Sequence, residues 1–392
     1  MTDRRRFPEA TQCRPLSDKG ASRPADPGSD TVPASQAANL FTRRHFLQAA
    51  GLTGAGLVLA TPSTARTLPP SLGPTHRKEG SEFAIHFQDG AIRSLKYAGD
   101  TIDTEYALPE ARLGDVALRF RQGAGPWRDL ETGSEAVQRR TRSSLDAKEH
   151  GMTVVPPGAE TLEVDVSFRV EDSALRWGLT ARNLSAKPLE VGDLTIPLPI
   201  HLNREQVEKE WVSVPVLRHG LVSGHGSFFF WMRSNSVGPY LTLTVDPGTK
   251  LEYWESGGGY RVFVHSAASG AVAAERGCDW RQPNTSLTLR PGEEKSYGFT
   301  FRWAHDYDHV RQILVEQGLV DVQVVPGMTV PNDLFARLAL RSGEPIHGLE
   351  PEYPEETSVR FLGRKGEAEI YEVRFARLGE NLLTVRFGDD RT

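Results

Sequence analysis

The residues whose types could do chemistry gather between Leu221 and Trp254. This stretch holds His225, Trp231, Arg233, Asn235 and Tyr240, together with three consecutive phenylalanines at 228–230. Trp231 and Tyr240 bracket Arg233 and Asn235, and His225 lies just upstream. Sugar recognition needs such a set: ring C–H faces stack on aromatics, while hydroxyls take directional hydrogen bonds from Arg, Asn and His. The sequence therefore predicts one wall of a sugar-binding cleft here. The same aromatics would serve equally well as core. Read at period two, Tyr240, Thr242 and Thr244 fall on one side and Leu241, Leu243 and Val245 on the other. That predicts a half-buried strand, closed by a turn at Asp246-Pro247-Gly248. The apolar run Ser227–Met232 predicts a strand deep in a sheet.

Other chemistry-bearing residues are less specific. His219 and His225 sit six apart. His305 and His309, with Asp306 and Asp308, have a spacing that suits a metal, but aspartates also collect at helix N-termini for dipole reasons. Glu252 and Glu255 form a carboxylate pair whose separation the sequence does not set. No Gly-rich phosphate loop follows a strand and no His-Glu-x-x-His occurs, so neither a cofactor nor a metal is expected. Charged residues make up 25 % and the formal net charge is -5, which points away from a nucleic-acid partner. Cys13 and Cys278 are the only cysteines, too few for a disulfide framework.

A chain of 392 residues suggests two domains, or one large β domain with appendages. Residues 1–39 are a Pro-, Ser-, Asp- and Arg-rich leader with too little apolar surface to order itself. Residues 40–65 read as a twin-arginine signal peptide. Arg43-Arg44 precede Phe46-Leu47, and a short apolar stretch runs from Ala49 to Ala60. That stretch falls short of the roughly 20 residues a spanning helix needs, and Ser63-Thr64-Ala65 supply small residues for cleavage. The expectation is a periplasmic or secreted protein with no stable membrane span once the signal is removed.

Residues 80–304 read as a large antiparallel β-sandwich. Asp89-Gly90 marks a hairpin, and the runs Leu162–Val170 and Leu175–Leu179 alternate cleanly between apolar and polar. Further strands are predicted at Trp211–Leu217, Tyr260–Ser266 and Lys295–Trp303, with no helix between them. At 305–320 the period becomes helical, with Val310, Ile313, Leu314 and Leu319 on one face and Gly318 as the stop. Residues 321–392 read as a small Ig-like β-sandwich interrupted by the Pro/Glu-rich stretch 344–356. Its last strand, Asn381–Phe387, runs into a Gly388-Asp389-Asp390 turn with no returning strand after it. An incomplete sandwich is therefore expected.

Several stretches resemble a known family: "DGAIRSLKYAGDTIDTEY", "RNLSAKPLEVGDLTIPLP", "GHGSFFFWMRSNSVGPYLTLTVDPGTKLEYW" and "VEQGLVDVQVVPGMTVPNDL". They are similar to the N-terminal β region of large secreted carbohydrate-active proteins, in particular the rhamnose–glucuronate lyase-like group. There a galactose-mutarotase-like β-sandwich precedes an (α/α) toroid. The resemblance covers roughly 83–387, and no toroid sequence follows. It implies a mainly β fold and a uronate-containing glycan as ligand. In a lyase, a His or Tyr removes the proton α to the uronate carboxyl while an Arg or Asn neutralises the carboxylate. His225, Arg233, Asn235 and Tyr240 have the types for those roles. The expectation is the N-terminal β portion of a polysaccharide-degrading enzyme; the alternative is a stand-alone, non-catalytic glycan-binding module.

Overall fold

The computed structural model describes residues 76–77, 81–108, 111–144, 149–155, 161–171, 173–200, 216–256, 259–278 and 280–392. The predicted leader and signal peptide, Arg43 and Arg44 included, lie outside the described residues. The chain is mainly β and antiparallel. It opens with β1 (His76–Arg77), β2 (Phe83–Gln88) and β3 (Ala91–Tyr97), which form a three-stranded sheet. The β2–β3 turn is Asp89-Gly90 with φ of 51° and 75°. Two positive φ values in a two-residue loop match the strand twist of a tight hairpin, as the sequence predicts.

The main sandwich follows. Its strands are β4 (Ala117–Gln122), β5 (Arg128–Glu131), β6 (Gln138–Ser143), β7 (Glu149–Val155), β8 (Leu162–Val170), β9 (Leu175–Asn183) and β10 (Leu189–Pro197). They continue as β11 (Val216–Leu221), β12 (Phe228–Arg233), β13 (Tyr240–Val245), β14 (Tyr253–Glu255) and β15 (Arg261–Ser266). After helix α1 (Ala267–Glu275) come β16 (Leu287–Leu289) and β17 (Glu294–Ala304). One sheet has eight strands in the order β11-β12-β13-β17-β9-β8-β7-β6; the other runs β14-β15-β10-β4-β5, with β16 also on β10. Alternation places the core. On β8 and β9 every second residue is buried, and Trp177, Phe299 and Phe301 stack across neighbouring strands at 5.2 and 6.3 Å. Leu118, Phe120, Val191, Leu194, Ile196 and Val262 of the smaller sheet close the same core.

Two expectations are corrected. Helix α1 interrupts a run predicted to be all strand. Its residues Ala267–Glu275 are alanine-rich, and Asp193 of β10 holds its first turn by accepting from the Ser269 backbone N–H (2.9 Å) and hydroxyl (2.8 Å). Strand β13 is buried at all six positions, not on one face alone. The reason is α2 (Tyr307–Glu316), which lies on the outer face of the eight-stranded sheet and packs Val310 and Ile313 against Phe230, Tyr240 and Ala304. Of the strand predicted at Trp211–Leu217, 216–217 lie in β11, and 211–215 lie outside the described residues.

Helix α2 itself matches the periodicity. Asp306 is its N-cap, accepting from the His309 N–H at 2.8 Å. The chain then forms β18 (Val320–Val325), β19 (Ala336–Ser342), β20 (Ile346–Pro351), β21 (Thr357–Lys365), β22 (Ala368–Phe375) and β23 (Leu383–Phe387). They make a sheet of order β18-β19-β22-β21 and a β20–β23 pair around a separate core of Leu338, Leu340, Tyr371 and Val373. The Pro/Glu-rich stretch thus contributes β20, which pairs with the last strand.

Candidate carbohydrate-binding site

The stretch singled out by its chemistry does not form a cleft wall with the side chains expected. On β12, Phe229 and Trp231 face the sandwich interior, and Trp231 is 0 % exposed. Arg233 is 1 % exposed and its guanidinium is fully engaged. It meets the buried Asp100 carboxylate in an ion pair, donates to the Thr104 hydroxyl at 2.7 Å and to the Gly238 carbonyl at 2.5 Å. Burial alone would raise the Asp100 carboxyl. Hydrogen bonds from the Thr104 and Ile102 backbone and from Arg233 outweigh that and hold it below its ordinary value. Arg233 therefore locks the loop after β3 onto β12, and Trp231 is core.

The remaining predicted site residues are also placed individually. The Tyr240 ring stacks on Phe230, and its hydroxyl donates to the Ser236 carbonyl at 2.8 Å. Asn235 is exposed, and its side-chain oxygen accepts from the Val237 N–H at 3.0 Å, shaping the β12–β13 turn. His225 lies at the other end of β12, half-buried against the last residue: its backbone N–H donates to the Thr392 carbonyl at 2.9 Å. Burial, then the nearby Lys250, lower its pKa. These residues are thus not brought together around one cavity. Of the two carboxylates noted, Glu255 pairs with Arg261 and Glu252 turns inward.

Two clusters escape sequence reasoning. At one edge of the sandwich, β11 of the large sheet and β14 of the small sheet approach each other. Arg218 lies over the Tyr260 ring, 3.3 Å from its centroid. Tyr260 in turn packs on Trp254 (5.5 Å) and Phe229 (5.9 Å, edge-on). Arg218, Trp254 and Tyr260 are half-buried, so part of each remains open. A cation on an aromatic platform at a partly open edge is suited to holding a polar, flat ligand.

The second cluster bridges the sheets. Glu252, 4 % exposed, accepts from the Ser266 hydroxyl (2.7 Å), the Thr285 N–H (3.0 Å) and the Thr285 hydroxyl. The Thr285 oxygen lies 2.8 Å from His265 Nδ1, and His265 Nε2 lies 2.6 Å from the Tyr297 hydroxyl. Since Thr285 gives its proton to the carboxylate, it accepts from Nδ1–H, leaving Nε2 to accept from Tyr297. Burial first, then Lys250 and Lys295, depress the His265 pKa to about 4. Burial, with Glu252 adding, pushes the Tyr297 phenol up. Every member is satisfied, so the network acts as a strut tying the β14–β15 hairpin to β17. No local pattern could have revealed it, because its partners are up to 33 residues apart.

A polysaccharide lyase shares the fold: TM-score 0.58 at 15 % identity, over 79 % of this chain and 45 % of that one. The chain thus spans less than half the length of that lyase. A galactose mutarotase related enzyme from Lactobacillus acidophilus is similar at 11 % identity over 60 % of this chain and 98 % of its own, with TM-score 0.35. A GH36 α-galactosidase from Geobacillus stearothermophilus is similar at 11 % identity over 60 % of this chain and 42 % of its own, with TM-score 0.33. No curated protein matches the sequence. Among the described residues no helix is long and apolar enough to cross a membrane. The model of one family matches residues 95–392, and the chain accordingly belongs to DUF5695, a family of unknown function.

Proposed function

We propose that this chain is the β-rich portion of an exported carbohydrate-active protein that acts on a uronate-containing glycan by lyase-type chemistry. The observation that carries the reading is the sandwich shared with a polysaccharide lyase over most of the chain. A second reading, a non-catalytic glycan-binding module, draws on the same fold. It is favoured by the engagement of Arg233 and Tyr240 within the protein, which removes two expected catalytic types from contact with a ligand. Affinity electrophoresis of the full chain in gels containing alginate, hyaluronan or polygalacturonate tests binding. Ultraviolet absorbance of unsaturated uronate products tests cleavage. Retardation with product formation supports the enzyme, and retardation without it supports the module. Unretarded migration in every gel removes both.

Export is part of this reading and rests on Arg43-Arg44 ahead of Phe46-Leu47. With both arginines replaced by lysine, the protein is expected to remain in the cytoplasm. Fractionation that finds the variant in the periplasm at the wild-type level would remove the twin-arginine assignment.

A further inference from the structure

Among the described residues, the edge of the sandwich holds a cation without an anion. Arg218 sits opposite Trp231 in the β11–β12 register, so its side chain starts on the interior side of the sheet. There its guanidinium lies on Tyr260, itself packed on Trp254 and Phe229. Burial lowers its pKa, the mark of a charge stripped of water. Several other arginines withdrawn from water are met by carboxylates: Arg112 by Asp115, Arg233 by Asp100, Arg261 by Glu255 and Arg311 by Asp321. Among the described residues, no carboxylate pairs with Arg218 and no acceptor takes its N–H groups. The Tyr260 hydroxyl likewise has no partner among them. A desolvated charge without a counter-charge is costly, and the cost falls when a ligand carboxylate supplies it.

We infer that Arg218, Tyr260 and Trp254 form a subsite for a sugar carboxylate, distinct from the stretch around Arg233. A guanidinium held over a ring has its donors at its rim, where one carboxylate can take two of them at once. The exposed part of the Trp254 ring offers a face for pyranose C–H groups. The subsite rests on the glycan reading above and names the feature recognised, the carboxylate.

The test uses the full chain and alginate, hyaluronan and polygalacturonate, each beside its carboxyl-reduced form. The wild type is expected to bind at least one acidic polymer more tightly than its reduced form. Arg218→Gln should weaken binding of that acidic polymer about 10- to 150-fold and leave the reduced form unaffected, the loss expected of one charge-assisted contact. Arg218→Lys, which keeps the charge but not the fork, should fall between the two and shows that a loss in Arg218→Gln is not unfolding. Equal binding of acidic and reduced polymers by the wild type overturns the subsite while leaving the glycan reading intact. So does wild-type affinity in Arg218→Gln. Failure of the wild type to bind any of the polymers overturns both.

Discussion

Arg233→Ala is expected to destabilise the protein by about 3–5 kcal/mol, because it leaves the Asp100 carboxylate buried without its cation. The Arg233 and Asp100 side chains are 1 % and 3 % exposed, so water cannot take over the lost contacts. The substitution also strips the Thr104 hydroxyl and the Gly238 carbonyl of their donor. Chemical denaturation should show the loss as a shifted midpoint with an unchanged slope. Most of the penalty is an uncompensated charge. Adding Asp100→Asn to Arg233→Ala should therefore recover part of it, a non-additivity expected of a directly paired couple. An unfolding free energy equal to wild type in Arg233→Ala would show that the ion pair does not hold the β3 loop to β12. Glycan binding is expected to depend on Arg233 only through this stability.

Acidification should weaken the fold through His265, by about 3 kcal/mol as the pH falls from 6.5 to 4. The sign follows from where the proton prefers to be. The folded pKa is about 4, below the ordinary 6.5, so the unfolded chain takes up the proton first. The stability linked to neutral His265 is fully present above pH 6.5 and is lost on the way down to about 4. The structural cost of protonation is clear: Nε2 would become a donor facing the Tyr297 hydroxyl, with Lys250 and Lys295 nearby. Burial also raises the Glu105 and Asp193 carboxyls above their ordinary values, so the measurement is a difference. Unfolding free energies of wild type and His265→Gln at pH 7.5 and pH 4.5 should show a markedly smaller acid loss in the variant. Parallel losses in the two proteins would rule out His265 as the source.

Local pattern carried much of the architecture. The Asp89-Gly90 hairpin, the alternating pair β8–β9, the aromatic strand β17 and helix α2 with its Asp306 cap all depend on neighbours within a few residues. Their signals therefore stand in the sequence. Strands β4 to β7 gave weaker signals. The edge strand β6 reads Gln-Arg-Arg-Thr-Arg-Ser and is exposed at nearly every position, so it has no apolar period to display. The short strand β20 hides among prolines and glutamates because its ladder is completed by β23, more than thirty residues on.

The candidate site divides the same way. Residue types between His225 and Tyr240 named a chemistry, but a side chain's face depends on what packs there. Helix α2 covers the outer face of β12 and β13, and the small sheet covers the inner one, so Trp231 and Tyr240 become core. Arg233 finds Asp100 from 133 residues away. Arg218 and Tyr260 meet only because the edge strands of two sheets converge, and Glu252, Thr285, His265 and Tyr297 only because β15 faces β17. Periodicity reports which residues alternate along a strand; which alternating set stays open to a ligand is decided by sheet stacking, since that alone determines where water is excluded.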